Sequence, residues 1–328
     1  MSDKLRKYAA ENCILEIVAG SHLYGTSTPE SDEDYVGVFL PPPEYVLGLQ
    51  SVQEVDFSVK DKSEDGKNTA DAVDRKLYEF RKFINLALQN NPNIIEILFT
   101  NEQAIKKIDP YGQRLLALRN LFPSRQCVPR FLGYAKSQKH KMIMRRDRFN
   151  ELRLAHEVLS KYADKDVMAE VFTTCDVEYF PPEQANGEML FWKKVGGTHI
   201  HVGDICFEPG VYVKKARKKL KERLDKVTNR SELILKYGYD TKFASHLIRL
   251  LYEGLMLLEY GELEFPLPMS SLILDIKNGA WEVEKVIEFS DELEKKYNTA
   301  EEKTKLPKTA NFKRIEEFTI NTMRNWLG

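Results

Sequence analysis

Cysteine is scarce in this chain of 328 residues, with four in all. Cys13, Cys127, Cys175 and Cys206 lie far apart and form no Cys-x-x-Cys pair. That spacing argues against a zinc ribbon and against a disulfide framework, and it fits a reducing compartment. Charge of one sign is also missing: the formal net charge is −1. The chain as a whole therefore exerts no pull on nucleic acid or membrane, and any nucleic-acid surface must be a local patch. No run approaches the 18 or so uninterrupted apolar residues of a membrane span. Residues 1–12 are charged and lack the apolar core of a signal peptide. There is no internal repeat. A cytoplasmic protein with no membrane partner is the expectation. What is present is a 42% hydrophobic complement, enough for a sizeable core, and a length that suits one large domain or two ordinary ones.

The chain is organised around residues 20–38. An apolar run from Cys13 to Ala19 reads as a buried strand. Gly20-Ser21 breaks it, and the next residues can open a helix whose first amides attract phosphate, because unpaired N–H groups and the helix dipole both favour negative charge. The chain turns back through Ser27-Thr28-Pro29-Glu30 into a second strand expected over Asp32–Leu40. Side chains two apart share a strand face, so Asp32 and Asp34 are expected to aim the same way, with Val36, Val38 and Leu40 continuing that face into the core. Paired carboxylates beside a phosphate cradle suit hard divalent cations, which take oxygen ligands and can clamp both oxygens of a phosphoryl displacement.

Gly20-Ser21 followed by Asp32-x-Asp34 resembles the signature of the DNA polymerase β nucleotidyltransferase superfamily. Tyr24-Gly25, Ser31, Gly37-Val38 and Pro42-Pro43-Glu44-Tyr45-x-Leu47-Gly48-Leu49 narrow the resemblance to its RNA-repair branch, RlaP. Asn91-Pro92-Asn93 with Glu96, and Asp240-x-Lys242 with His246 and Arg249, continue it. The similarity covers most of the chain except residues 166–213. It implies an α+β fold, in which an N-terminal nucleotidyltransferase domain with a mixed sheet and helices precedes a mainly helical domain. It also implies Mg²⁺ or Mn²⁺ as cofactor and a nucleoside triphosphate as substrate. By this resemblance Gly20 and Ser21 hold the triphosphate, Tyr24 lies at the nucleotide, and Asp32 and Asp34 bind the metal ions. A third carboxylate is required on a neighbouring strand, to complete the metal shell and draw the proton from the attacking hydroxyl. Asp74 is the first choice, on the family pattern. Asp56, central in the alternating stretch Val52–Lys60, is the second and Asp71 the third.

Beyond this, Phe80, Phe83, Ile84, Ala87 and Leu88 mark a helix that Asn90-Asn91-Pro92 stops. The first domain is expected over residues 1–120 and the second over 121–328, with a β-rich insertion at about 168–213. A helix through residues 131–159 carries Lys136, Lys139, Lys141, Arg145, Arg146 and Arg148 with little acid. It is either a phosphate-tracking surface for RNA or tRNA or a solvated face. A second basic run, residues 214–226, includes Glu222 and Asp225 and reads as an ordinary charged helix. His199 and His201 alternate in the insertion at a spacing metals can use, though a plain strand explains them as well. Residues 241–260 form an amphipathic helix ended by Gly261, with Lys242, His246, Arg249 and Glu253 in one polar stripe. Polar residues in register on a helix that is otherwise apolar either face a cleft or pair internally. The resemblance favours the cleft, with Lys242, His246 and Arg249 contacting the triphosphate.

The reaction so implied moves a nucleoside monophosphate from a triphosphate to an acceptor hydroxyl, with RNA or tRNA the expected acceptor. Nucleotidylation of a protein or small molecule, and a non-catalytic nucleotide-binding module, are the alternatives.

Overall fold

The structure is a computed structural model and describes residues 3–29, 31–59, 74–174, 191–193, 197–202, 204–227 and 230–328. Asp71, Cys175, the polar stretch 61–69, Gly196 and the turns at Pro181-Pro182 and Asn186-Gly187 lie outside the described residues. In chain order the elements begin with α1 (Asp3–Glu11), β1 (Cys13–Ala19), α2 (Gly20–Tyr24), β2 (Asp34–Phe39), β3 (Glu54–Asp56) and β4 (Asp74–Glu79). Next come α3 (Phe80–Leu88), α4 (Pro92–Leu98), β5 (Ile105–Ile108), α5 (Pro110–Ala117), α6 (Cys127–Leu159) and α7 (Met168–Thr174). A small sheet of β6 (Trp192–Lys193), β7 (Ile200–Val202) and β8 (Ile205–Phe207) precedes six further helices. These are α8 (Val213–Val227), α9 (Ser231–Tyr237), α10 (Thr241–Tyr260), α11 (Ser270–Lys277), α12 (Val283–Lys303) and α13 (Phe312–Leu327). The fold is α+β, a mixed sheet with helices followed by a helical region.

The chain divides into two compact units, one made of residues 1–136, 245–276 and 288–328, the other of residues 137–244 and 277–287. The first holds a five-stranded sheet in the order β3-β4-β2-β1-β5. β1 is apolar enough to be buried on both faces, which suits a strand with neighbours on each side. It pairs antiparallel with β2 and β5, whereas β2 and β4 run parallel and β3 closes the far edge antiparallel to β4. Glu79 ends β4 and caps α3, accepting from Lys82 N at 2.9 Å. Phe80, Phe83, Ile84 and Ala87 then bury one face of that helix. Asn90 stops it in a left-handed conformation, φ 53°. The Asn90 amide donates to Phe122 O at 3.1 Å and its Oδ1 accepts from Ser124 N at 2.9 Å.

The second unit has its own core. Leu152, Ala155 and Leu159 from α6 pack with Met168 and Val171 from α7, and with Ile200, Val202, Ile205 and Phe207 from the small sheet. Val213, Ala216 and Leu220 from α8 complete it.

Two expectations need correction. The second strand begins at Asp34 rather than Asp32, so the pleat does not fix the direction of Asp32. Asp74 opens a strand, as its candidacy for the third carboxylate requires, and β2 offers that strand a parallel partner along its whole length. Residues 168–174 are helical although β-branched residues suggested a strand, since Met168 and Val171 at helical spacing both enter the core. Among the described residues, no helix is long and apolar enough to cross a membrane.

Candidate active site

β1, α2 and β2 form the turn that the sequence singles out. Ala19 at the end of β1 lies opposite Asp34 at the start of β2. Gly20 follows with φ +63°, a left-handed conformation that side chains disfavour. A Cβ on Gly20 would run into the Asp34 carboxylate. The Gly-Ser turn and the aspartate are therefore in close approach, and only glycine leaves room for it. Thr26 N donates to Ser21 O at 2.8 Å, and Gly25, with φ 74°, caps α2 through His22 O and Ser21 O. Between α2 and β2 the turn is held by Ser31, whose Oγ accepts from Thr28 N at 2.9 Å while its N donates to Thr28 O at 2.9 Å.

The parallel pairing of β2 and β4 sets Asp34 directly beside Asp74. Residues paired this way point to the same face of the sheet, with backbones roughly 4.8 Å apart. Asp74 Oδ1 accepts from Ser58 Oγ at 2.7 Å. Asp56 lies on the neighbouring edge strand opposite Lys76, one rung further from Asp34, and its Oδ1 accepts from Ser58 N at 2.8 Å. Asp32 precedes the strand. Ser58 escaped the sequence reading, although the alternation Asp56-Phe57-Ser58 already put it on the face of Asp56. Among the described residues, no three His, Cys, Asp or Glu side chains gather closely enough to hold a metal ion. The donor chemistry nonetheless fits a hard cation: two carboxylates abreast, with a glycine that leaves space beside one of them.

The polar stripe of α10 divides between solvent and interior. Lys242, in the second unit, and His246, in the first, are exposed. Arg249 and Glu253 are buried in the first unit. The Arg249 guanidinium donates to Glu96 of α4, and to Glu253 at 2.9 and 3.1 Å. It also stacks over the Tyr24 ring at 4.3 Å, and Tyr24 OH donates to Glu96 Oε2 at 2.6 Å. Leu267 N donates to Tyr24 O at 3.2 Å. One buried cation thus serves two carboxylates. Burial pushes Glu253 well above the usual carboxylate range; Arg249 opposes that shift and Glu96 adds to it. Burial opposes the charge on Arg249, but Glu253 and Glu96 together hold it firmly protonated. Burial likewise raises Tyr24 well above an ordinary phenol. The network joins the end of α2 to α4 and α10. Glu96 was visible in the sequence only as part of a family motif, and nothing marked it as the partner of a residue 153 positions away.

The basic residues of α6 are mostly engaged. Lys136 pairs with Glu294 at 3.8 Å in the first unit. In the second, Arg146 meets Asp147 at 2.8 Å and Glu284 at 4.0 Å, and Arg145 stacks over Phe243 at 4.7 Å. Lys139 is half-buried and Lys141 exposed. In the small sheet, His201 lies across from Cys206 at 4.0 Å.

Residues 1–161 match the family model of RlaP, the RNA repair pathway DNA polymerase beta family. Over 300 residues the chain is 29% identical to the "Uncharacterized 38.9 kDa protein in nrdC-mobD intergenic region" of Enterobacteria phage T4, a similarity covering 84% of this chain and 85% of that one. It therefore runs well past the family match into the helical part. No solved structure matches the chain.

Proposed function

We propose that this chain, whose residues 1–161 match the RNA repair pathway DNA polymerase beta family, is a polymerase-β-like nucleotidyltransferase that transfers a nucleoside monophosphate from a triphosphate to a hydroxyl of RNA. The observation that carries this reading is the meeting of Gly20, Asp34 and Asp74: a glycine turn against one carboxylate, with a second in register beside it. The Gly20-Ser21 turn receives the triphosphate, its backbone amides and the Ser21 hydroxyl facing the phosphate oxygens. Asp34 and Asp74, joined by Asp32, would hold Mg²⁺ or Mn²⁺, which when bound supplies charge neutralisation for the attacking acceptor oxygen and the leaving pyrophosphate oxygen. Asp74 takes the proton from the acceptor hydroxyl as its oxygen bonds to the α-phosphorus and the α–β bond breaks, releasing pyrophosphate. Ser58 holds Asp74 in orientation by donating to the oxygen that faces it. Tyr24 and Arg249 act by fixing α2, whose far end they tie to α4 and α10, so that the turn keeps its place against Asp34.

Incubation with each α-labelled triphosphate, Mg²⁺ or Mn²⁺ and total RNA tests the reading. Label on RNA with matching pyrophosphate supports it. Label on protein or a small molecule moves the acceptor, and triphosphate left intact under every condition rejects the transfer.

A further inference from the structure

The second unit carries a charge arrangement that the fold itself does not favour. α8 anchors one face in the core through Val213, Ala216 and Leu220. Its opposite face presents Lys214, Lys215, Lys218 and Lys221, all exposed. None of the four makes an ion pair among the described residues. Their neighbours on the helix do: Arg217 pairs with Asp164, and Arg223 bonds Asp204 at 3.1 Å. Lys219 donates to Cys206 O at 3.2 Å and lies 5.2 Å above the Phe207 ring. The acids of α8, Glu222 and Asp225, come only after Lys221. The first nine residues are therefore basic or uncharged.

Two effects make this arrangement costly for an isolated helix. Cations in the first turn oppose the helix dipole, by typically 0.3–1 kcal/mol each. Like charges three or four apart, as in Lys214/Lys218 and Lys218/Lys221, repel across ~5–6 Å. A polyanion laid along the face relieves both at once. We propose that the exposed face of α8 is the surface that binds the phosphodiester backbone of single-stranded RNA. This inference rests on RNA being the acceptor. Charge complementarity names the occupant: in a chain of net charge −1, this face concentrates unpaired cations on one side of a helix, whereas the bases of α6 are mostly tied to acids or an aromatic ring.

The test is a titration of labelled single-stranded RNA, without triphosphate or metal, at several KCl concentrations. It compares the full chain with the variant Lys214→Gln, Lys218→Gln, Lys221→Gln. Each neutralised single-strand phosphate contributes about 0.7 to the slope of log K against log salt, so the triple change should flatten that slope by about two units. The melting temperature of the variant should hold or rise, because the removed charges oppose the helix. Several outcomes overturn the surface: an unchanged slope, a wild-type protein whose RNA binding ignores salt, or a flattening produced instead by Lys139→Ala, Arg145→Ala, Arg146→Ala. Binding of an acidic protein in place of RNA would count the same way. Because the titration contains no triphosphate, its failure leaves the transfer reaction standing, and failure of label transfer leaves the slopes unaffected.

Discussion

Gly20 is the residue on which the site's geometry turns. Its left-handed φ and its closeness to Asp34 leave no space for a β-carbon. Gly20→Ala should therefore cost about 1–3 kcal/mol in stability, as forcing a side chain into this region usually does. It should also lower turnover by pushing the Asp34 carboxylate aside, a change that steady-state kinetics on the folded variant would read. The carboxylates separate by position. Asp74→Asn should lower kcat by about a hundredfold or more, because removing a charge worth several kcal/mol at the reacting phosphate costs a factor of ten per 1.36 kcal/mol. Asp56→Asn, on the rung beyond Lys76, should leave kcat within a fewfold of wild type. A larger loss from Asp56 than from Asp74 would reverse their assignment. Glu253 makes a separate prediction. Its folded pKa is raised well above 4.5, so the folded state keeps a proton that the unfolded chain gives up sooner. Its contribution to stability is fully present below the unfolded pKa and is lost as pH rises through the folded value. Glu253→Gln has no proton to lose, so its stability relative to wild type should rise with pH above about 4.5. Urea titrations at acid and alkaline pH would check this, and parallel stability curves would contradict it.

At the scale of elements, α2 is too short to hold itself in place and is pinned from its far end. Arg249, Glu96, Glu253 and Tyr24 do this with buried charges, where removing one partner strands the others. Arg249→Ala should destabilise the protein by about 3–5 kcal/mol, seen as a lower urea midpoint with unchanged slope. Tyr24→Phe removes a single bond to a carboxylate and should cost about 1.5–3 kcal/mol. Wild-type stability in Arg249→Ala, together with a raised KM for triphosphate, would instead make this arginine a phosphate contact. The sequence made parts of this legible. α10 announced itself by its 3.6-residue period and by Gly261, and β1 by an apolar run that only Glu16 interrupts. The inward turn of Arg249 and Glu253 was not legible, since periodicity cannot distinguish a cleft from an internal partner and Glu96 lies on a distant helix. β4 was legible only through the family pattern that put Asp74 on a strand, because Asp74, Arg75 and Lys76 carry charge and the partner strand is known only in three dimensions. Arg75 is accommodated there by Glu16, at 3.2 Å for the second nitrogen, and by the Phe57 ring at 4.8 Å.

At the scale of the molecule, a near-neutral chain gathers opposite tendencies in different places: carboxylates at the mouth of the five-stranded sheet in one unit and, along α8 in the other, lysines that make no ion pair among the described residues. Composition could state only that a nucleic-acid surface must be local. Proposing the α8 face required knowing which bases are already partnered, and that depends on side-chain contacts. The central claim is that Asp34, beside Asp74 and against Gly20, serves phosphoryl transfer. The most direct measurement is the rate of pyrophosphate release from triphosphate, with Mg²⁺ and RNA present, in wild type and in Asp34→Asn. Melting temperatures of both proteins should be recorded in parallel. The account predicts release by wild type, a fall of about a hundredfold or more in the variant, and nearly equal melting temperatures. Equal release rates in two equally folded proteins would contradict it.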